Sequence, residues 1–372
     1  MAVSEKMLPF SYSNLEKEAE LALSKEPFTY VQSGAGAEIT LCENETAFNR
    51  WAIVPRVLKD VSSRVLSTDI LGTHLPASFI LAPIGNQGIL HPEGELASAR
   101  AAAAFGVPFI ASTVSTFSLE EIAAANGTGS RWFQLYWSSD FEVTASLVHR
   151  AEKAGYTAIT VTVDMPVVGY RERDLDHQYF PLALGKGAAN FLQDPIFLSR
   201  LSKPPAEDMT GALAHLQSLF FTPSLTWEKV KKLREITSLP IIIKGVLHEE
   251  DARKAVDAGF DGIVVSNHGG RQLDGCISSL DALSPIVTAV AGKIPVMLDS
   301  GIRRGADVVK ALALGADAVL LGRPYVYGLA VGGENGVKHV IEQYIKDVDT
   351  AVALTGLTAV SEANRGTVRK VN

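Results

Sequence analysis

Ile263-Val264-Val265-Ser266-Asn267-His268-Gly269-Gly270-Arg271-Gln272-Leu273-Asp274-Gly275 runs from four residues of buried-strand character into a polar turn broken by glycine. An imidazole, His268, and a guanidinium, Arg271, follow the strand directly. A strand that ends on such groups is expected at the catalytic rim of an α/β barrel. Gly269 and Gly270 carry no Cβ, so the backbone there can bend sharply and approach a ligand closely. The bland alternative is a capped loop whose His and Arg bond only to neighbouring carbonyls. The rest of the chain separates the two readings.

Working outward, apolar bursts alternate with helical stretches from residue 79 onward. The bursts begin at Phe79, Pro108, Trp132, Ala158, Ile241, Ile263, Val296 and Val319. They lack polar alternation, as parallel strands covered on both faces do. Eight is the number that closes a (β/α)8 (TIM) barrel. An internal repeat supports the count. Ala258-Gly259-Phe260-Asp261-Gly262-Ile263 resembles Leu314-Gly315-Ala316-Asp317-Ala318-Val319, and Ala154-Gly155-Tyr156-Thr157-Ala158-Ile159 echoes both. In each, glycine stops a helix and a strand follows. Between Glu249 and Ala258, acidic residues fill the first helical turn, where the dipole favours them, and Ala252, Ala255 and Val256 share one face.

The expected architecture is therefore one α/β barrel over residues 79–372. Residues 1–78 are expected to cap it as a lid across one end. That segment is read as helices over Asn14–Leu23 and Glu43–Trp51, a linker at 29–36 and a hairpin at 70–75. Residues 165–225, which include Pro195, Pro204, Pro205 and Pro223, form a long loop after strand four. Loops of that length in a compact domain usually serve as lids or binding segments. A last helix is expected over 334–355.

Composition narrows the function classes. The 372 residues carry a formal charge of −7, which argues against a general nucleic-acid binder, since neutralising phosphates needs a basic face. Cys42 and Cys276 have neither metal-knuckle nor disulfide-framework spacing, and no metal site is expected. Glu5, Glu16, Glu18, Glu20 and Glu26 argue against a signal or transit peptide, and no apolar run approaches bilayer length. The C-terminal Arg369-Lys370-Val371-Asn372 is not a Ser-Lys-Leu peroxisomal address. The expectation is a soluble, cytoplasmic protein without a membrane partner.

In a barrel all strand C-termini face one mouth, so the polar residues there belong to one question. They are Gly85, Ser112, Gln134 with Tyr136, Thr162 with Asp164, Lys244, Ser266 with His268 and Arg271, Asp299 with Arg303, and Gly322 with Arg323. Each has a structural explanation on its own: a satisfied core tyrosine, a snorkelling lysine, a helix-capping aspartate. Eight strands all ending this way make coincidence a poor account. Asp299-Ser300-Gly301-Ile302-Arg303-Arg304-Gly305 and Gly322-Arg323-Pro324 also place amides and arginines after strands seven and eight, where barrels commonly bind phosphate.

Ser266 to Asp274 resembles the active-site signature of the FMN-dependent 2-hydroxy acid oxidases, and the resemblance runs from about Tyr30 to Gly328. It implies FMN as cofactor, with a small 2-hydroxy acid and O2 as reactants. It also implies a homo-oligomer, either a tetramer or an octamer of tetramers. His268 matches the base, Asp164 the carboxylate that orients it, and Tyr30 and Tyr136 the tyrosines that contact substrate. Arg171 and Arg271 match the carboxylate-binding arginines, and Lys244 the cation beside flavin N1. Pro83, Ile84 and Gly85 match the segment near flavin N5. Ser112, Gln134, Thr162 and Ser266 match groups at the isoalloxazine edge. Asp299, Gly301, Arg303, Gly322 and Arg323 match the ribityl and phosphate site.

Two positions depart from the common pattern. Gly85 stands where many members carry alanine, and Val114 where glycolate-type members carry tryptophan. Gly85, Arg131 to Trp137 and Asp174-Leu175-Asp176 look like the lactate 2-monooxygenase branch, in which lactate yields acetate, CO2 and water. A missing methyl that only relieves crowding is the alternative. A small aliphatic acid such as L-lactate is the expected substrate. Two other functions stay open at this point: a 2-hydroxy acid dehydrogenase using an acceptor other than O2, and a barrel isomerase or lyase acting on a phosphorylated substrate.

Overall fold

The computed structural model describes residues 8–371, so Glu5 and Asn372 of the targeting argument fall outside the described residues. Three short strands come first: β1 (Trp51–Ile53), β2 (Thr68–Ile70) and β3 (Thr73–Leu75). Eight parallel strands then close into a barrel: β4 (Phe79–Leu81), β5 (Phe109–Ser112), β6 (Arg131–Tyr136), β7 (Ile159–Thr162), β8 (Ile241–Val246), β9 (Gly262–Val265), β10 (Val296–Leu298) and β11 (Ala318–Leu321). Ring closure is the pairing of β11 with β4, Leu320 opposite Ile80. All eight expected bursts became barrel strands.

Both faces of those strands are buried, which explains the unbroken apolar runs. Ile80, Ile110, Trp132, Ile242, Val264, Met297 and Leu320 pack together in one cluster. Phe79, Phe109, Phe133, Ile241, Ile263 and Leu298 belong to another, shared with the helices. The repeated Gly-x-Asp also gains a reason. Gly259 and Gly315 have φ of 75° and 105°, the left-handed region. The aspartates two positions on reach the neighbouring strand: Asp261 accepts from Ile241 N and Asp317 from Val296 N, each at 2.7 Å.

The N-terminal segment does not act as one lid. Helices α1 (Tyr12–Ala22), α2 (Lys25–Gln32) and α3 (Ile39–Asn49) replace the two expected, because residues 29–32 finish a helix instead of forming a linker. The chain after α2 and α3 itself reach the mouth at the strands' C-terminal ends, where Ala35 N donates to Gly270 O and the Asn44 and Asn267 side chains bond reciprocally at 2.8 and 2.7 Å. The β2–β3 hairpin closes the opposite end. Ile70 and Leu75 join the barrel's inner cluster, and Thr73 Oγ1 accepts from Trp132 Nε1 at 3.0 Å. Trp51 opens a strand and does not end a helix: β1 pairs antiparallel with β12 (Val368–Lys370).

The excursion after β7 holds several short helices, the longest Met209–Phe220. The final helix runs from Arg323 to Thr355 and breaks at Gly332-Gly333, so the expected 334–355 helix is its second half. Among the described residues no helix is long and apolar enough to cross a membrane, and no cluster of three or more His, Cys, Asp or Glu could hold a metal.

Candidate active site

A cavity of about 690 Å³ opens at the C-terminal ends of the barrel strands. That size falls within the roughly 300–1,000 Å³ usual for ligand sites. His268 sits in its wall with φ of 59°, a left-handed conformation uncommon for a residue with a Cβ. Two short connections hold it there: Ser266 Oγ accepts from His268 N at 3.0 Å, and Asn267 Oδ1 accepts from Gly270 N at 3.1 Å. Strain of this kind persists only where the surroundings over-determine it.

Asp164, two residues past the strand-end Thr162, lies behind the imidazole, with Oδ1 2.9 Å from Nδ1. Burial opposes a charge on Asp164, yet His268 and Lys244 outweigh it and hold the carboxyl below its usual range. Burial pushes the His268 pKa down, against the pull of Asp164 and with help from Lys244 and Arg171. The pair is thus an ionised carboxylate accepting from a neutral imidazole. Nε2 is left facing the cavity, 3.3 Å from the Tyr136 hydroxyl. Burial, followed by Asp164, raises the Tyr136 pKa, so that hydroxyl keeps its proton.

Two arginines face the same space. Arg271 stacks over the Tyr30 ring at 4.9 Å and donates from Nη1 to Ser33 O at 2.7 Å. Arg171 donates from Nε to Arg271 O at 3.0 Å and from Nη2 to Gln272 Oε1 at 3.3 Å. Burial, then repulsion from Arg171, pushes the Arg271 pKa down to about 9. Two guanidiniums crowded out of water are a standing demand for an anion.

Polar groups continue along the cavity. Gln134 Oε1 accepts from Ser112 Oγ at 3.1 Å and from Thr113 N at 3.2 Å, while Nε2 donates to Thr162 Oγ1 at 3.0 Å. Lys244 Nζ lies 2.9 Å from Ser266 Oγ and 3.0 Å from Asp299 Oδ2. Burial opposes its charge, but Asp299 and Asp164 raise its pKa, so it stays protonated. Gln134, Thr162, Lys244 and Asp299 line the cavity together with Pro83, Ile84 and Gly85. Ser112 and Ser266, expected at a ligand edge, instead stand behind Gln134 and Lys244 and hold them in place. Asp164 likewise stands behind His268.

The far end carries Gly301, Arg303, Gly322 and Arg323. Arg323 donates only to backbone carbonyls, those of Val31, Gly269 and Ser33. Burial lowers its pKa, and among the described residues no carboxylate bonds to it. Arg303 differs, because Glu45 accepts from Nη2 at 2.8 Å and the Tyr12 ring lies 4.5 Å away. Gly301 has φ of 90°, and a Cβ there would fall 2.1 Å from Asn44 O. At Gly322 a Cβ would meet only Ile84 Cδ1 at 3.5 Å, so the glycine leaves room toward the cavity. These features fit FMN: a half-buried arginine bonded only to backbone carbonyls among the described residues, a glycine cradle, and a polar edge leading to a lysine.

Sequence reasoning passed over several contributors. Ser33 and Gln272 orient the arginines, Ser300 Oγ accepts from Gly269 N at 3.0 Å, and Met165 and Phe220 line the cavity from the excursion. Gln272 and Ser300 lie within the strand-end motifs, and Met165 and Phe220 within the excursion expected to serve as a lid or binding segment. Ser33 gave no signal, because only tertiary folding brings it near.

The FMN-dependent dehydrogenase family matches residues 19–370. An L-lactate oxidase of Lysinibacillus sphaericus is 47% identical over 352 residues, covering 95% of this chain and 90% of that one. An L-lactate oxidase of a Nostoc species is 46% identical, covering 97% of each chain. Among solved structures, a mandelate oxidase superposes with a TM-score of 0.86 at 42% identity, over 97% of this chain and 98% of that one. With the barrel, the half-buried histidine–aspartate pair and the arginines at the far end of the cavity already in place, this chain belongs to the FMN-dependent dehydrogenase family.

Proposed function

We propose that the protein oxidises a small L-2-hydroxy acid, L-lactate first, to the 2-oxo acid with FMN as cofactor and O2 as final acceptor. The observation that carries this reading is the neutral His268 Nε2, backed by ionised Asp164 and facing the same cavity as Arg171 and Arg271. In this reading Arg171 and Arg271 bind the substrate carboxylate, the task for which a planar guanidinium is suited. Tyr30 and Tyr136 offer hydroxyls beside it. His268 Nε2 takes a proton from the substrate, and Asp164 stabilises the imidazolium that forms. Lys244 supplies fixed positive charge where negative charge develops. Bound FMN would supply the acceptor for the two electrons and the second proton that the substrate loses.

Gln134, Thr162 and Lys244 would hold the ring system's polar edge, with Ser112 and Ser266 supporting them. Asp299, Gly301, Arg303, Gly322 and Arg323 would hold the ribityl phosphate. Pro83, Ile84 and Gly85 would form the facing wall. Val114, Met165, Leu175 and Phe220 give the substrate side chain an apolar wall. Such a wall accepts a methyl and does not reject longer side chains strongly, since one methylene changes discrimination by only about 1–3 kcal/mol. Mandelate is therefore the comparison substrate.

The purified protein should be yellow, bleach with L-lactate under anaerobic conditions and recolour in air. A preparation that FMN cannot reconstitute, or that L-lactate and mandelate both fail to bleach, ends the proposal. Product analysis then divides the two outcomes: pyruvate with stoichiometric peroxide, or acetate with little peroxide. The packing at Gly85 favours the first, because close contact with Val114 already accounts for the glycine.

A further inference from the structure

The carboxylate of Asp174 lies between the two guanidiniums that face the cavity. It sits on the short helix Glu172–Asp176 and is 4% exposed. Its Oδ1 accepts from Ser33 Oγ at 3.1 Å. Its Oδ2 is 3.6 Å from Arg271 Nη2 and 3.9 Å from Arg171 Nη1. Both separations exceed hydrogen-bond length, so Asp174 acts on the arginines as a charge and not as a ligand. Every hydrogen bond from the two guanidiniums goes to a neutral acceptor: Arg271 O, Gln272 Oε1, Ser33 O and Ser33 Oγ. Their remaining N–H groups stay free for an incoming carboxylate. A carboxylate placed to consume both arginines would have blocked the site. One placed beyond bonding range lowers the local positive charge without occupying it.

We propose that Asp174 is a specificity-determining residue that sets the anion site's net charge at +1, matching it to monocarboxylates and against dicarboxylates. The count covers the clamp alone, two guanidiniums and the one carboxylate within 4 Å of both; the other charged groups of the cavity, Lys244 and Arg323 among them, are the same in wild type and variant. A monocarboxylate brings the buried site to neutrality, whereas a dicarboxylate leaves an uncompensated negative charge where desolvation makes it costly. Removing Asp174 raises the site to +2. A monoanion then binds more tightly, and a dianion gains about twice as much, because the change in potential acts on each charge. For partly screened charges several ångströms apart, roughly tenfold per unit charge is the expected scale.

This inference rests on the reading of Arg171 and Arg271 as the carboxylate clamp, and the experiment keeps the two apart. The FMN-loaded wild type and Asp174→Asn are titrated calorimetrically at pH 8 with propionate and with malonate, ligands of similar size that differ by one charge. The expected results are wild-type binding of malonate no tighter than propionate, and an Asp174→Asn enzyme that tightens propionate roughly tenfold and malonate roughly a hundredfold. A malonate-to-propionate ratio that is the same in both proteins overturns the proposal, whether absolute affinities rise or fall. A merely structural role for Asp174 would shift both ligands together. If Asp174→Asn does not retain FMN, the wild type alone decides, since malonate binding tenfold tighter than propionate there is equally fatal. In parallel, Arg171→Met and Arg271→Met are titrated with propionate. Unchanged affinity in both removes the clamp reading itself, whatever Asp174→Asn does.

Discussion

Replacing Gly85 by alanine tests how closely the loop after β4 packs on the loop after β5. A Cβ built at Gly85 lies 2.6 Å from Val114 Cγ2, 2.6 Å from Val114 O and 3.2 Å from Ser112 Oγ. The side-chain contact could be relieved by a rotamer change. The carbonyl contact could not, because Val114 O accepts from Asn86 N at 2.8 Å and is held in place. Overpacking of this kind costs about 1–3 kcal/mol, and losing the Asn86–Val114 bond would add about 0.5–1.5 kcal/mol. Pro83, Ile84 and Gly85 line the cavity, so strain that FMN must oppose should also weaken its retention, roughly 5- to 100-fold for 1–3 kcal/mol. Thermal unfolding of the loaded protein and fluorescence titration of the apoprotein with FMN measure the two effects. Adding Val114→Ala should recover only part of the loss, since it removes Cγ2 and leaves the carbonyl. An alanine variant with unchanged melting temperature and unchanged FMN affinity would refute the packing argument and return Gly85 to a role in product outcome.

His268→Gln should keep FMN, seen as an unchanged visible spectrum, and lose turnover by roughly 10²- to 10⁴-fold in steady-state assays. Because His268 works as a neutral base with its pKa held below 6.5, kcat/KM should be level above that pH and fall as pH drops through the lowered value. Asp164→Asn removes the group that pulls this pKa up, so the acid limb should move further down as the rate falls; a limb that moves up contradicts the assignment. Arg323→Met should weaken FMN binding roughly 10- to 150-fold, the scale of a charge-assisted bond of about 1.5–3 kcal/mol, with the far-ultraviolet circular dichroism unchanged. Replacing Arg303 should weaken it less, since Glu45 already shares that charge. Burial raises the Glu95 pKa to about 7 against hydrogen bonds that include those from the Thr116 and Gln87 backbone. A carboxyl whose folded pKa exceeds its unfolded value stabilises fully below the unfolded value and loses that contribution as pH rises through the folded one. Glu95 should therefore cost about 3 kcal/mol on going from pH 4 to pH 8, and Glu95→Gln should flatten that part of the stability profile in denaturant titrations.

The barrel was legible in the chain because its strands are buried on both faces. Ile241-Ile242-Ile243 and Ile263-Val264-Val265 leave no helical or amphipathic reading, and the Asp261 and Asp317 repeats mark where strands begin. The N-terminal segment was less legible for an equally physical reason. Its partners lie from 59 to more than 300 residues away: Trp51 opposite Lys370, Thr73 beneath Trp132, Asn44 against Asn267. Local pattern shows that Ile70 and Leu75 are apolar, but not which end of a barrel they will fill. Lys25–Gln32 went unread as a helix because Pro27 and the β-branched Thr29 and Val31 are poor helix formers, and tertiary packing of Phe28 and Val31 overrides them.

The site divides along a similar line. A strand's last residues can be named from sequence, and so His268, Lys244, Gln134 and Arg323 could be. Which of two adjacent strand-end groups touches a ligand, and which braces its neighbour, depends on the pleat and on cross-strand register. Ser112 lies directly opposite Gln134 in the β5–β6 pairing, and its hydroxyl is spent on the amide that reaches the cavity. Ser266 similarly serves Lys244 Nζ and the backbone of His268. The left-handed φ of His268 was invisible for a different reason. Histidine visits that region more often than most residues with a Cβ but still rarely, and the Asn267, Ser266 and Asp164 contacts enforce it here. The strain has a use: an extended residue there would carry the imidazole along the strand direction, whereas the turn sets Nδ1 against Asp164 and leaves Nε2 open. On this argument, Asn267→Ala should cost turnover without touching any ligand, because it frees the turn that aims the base. Its crystal structure should show His268 relaxed toward negative φ. An alanine variant with full kcat and an unmoved imidazole would mean that the glycines alone fix the geometry.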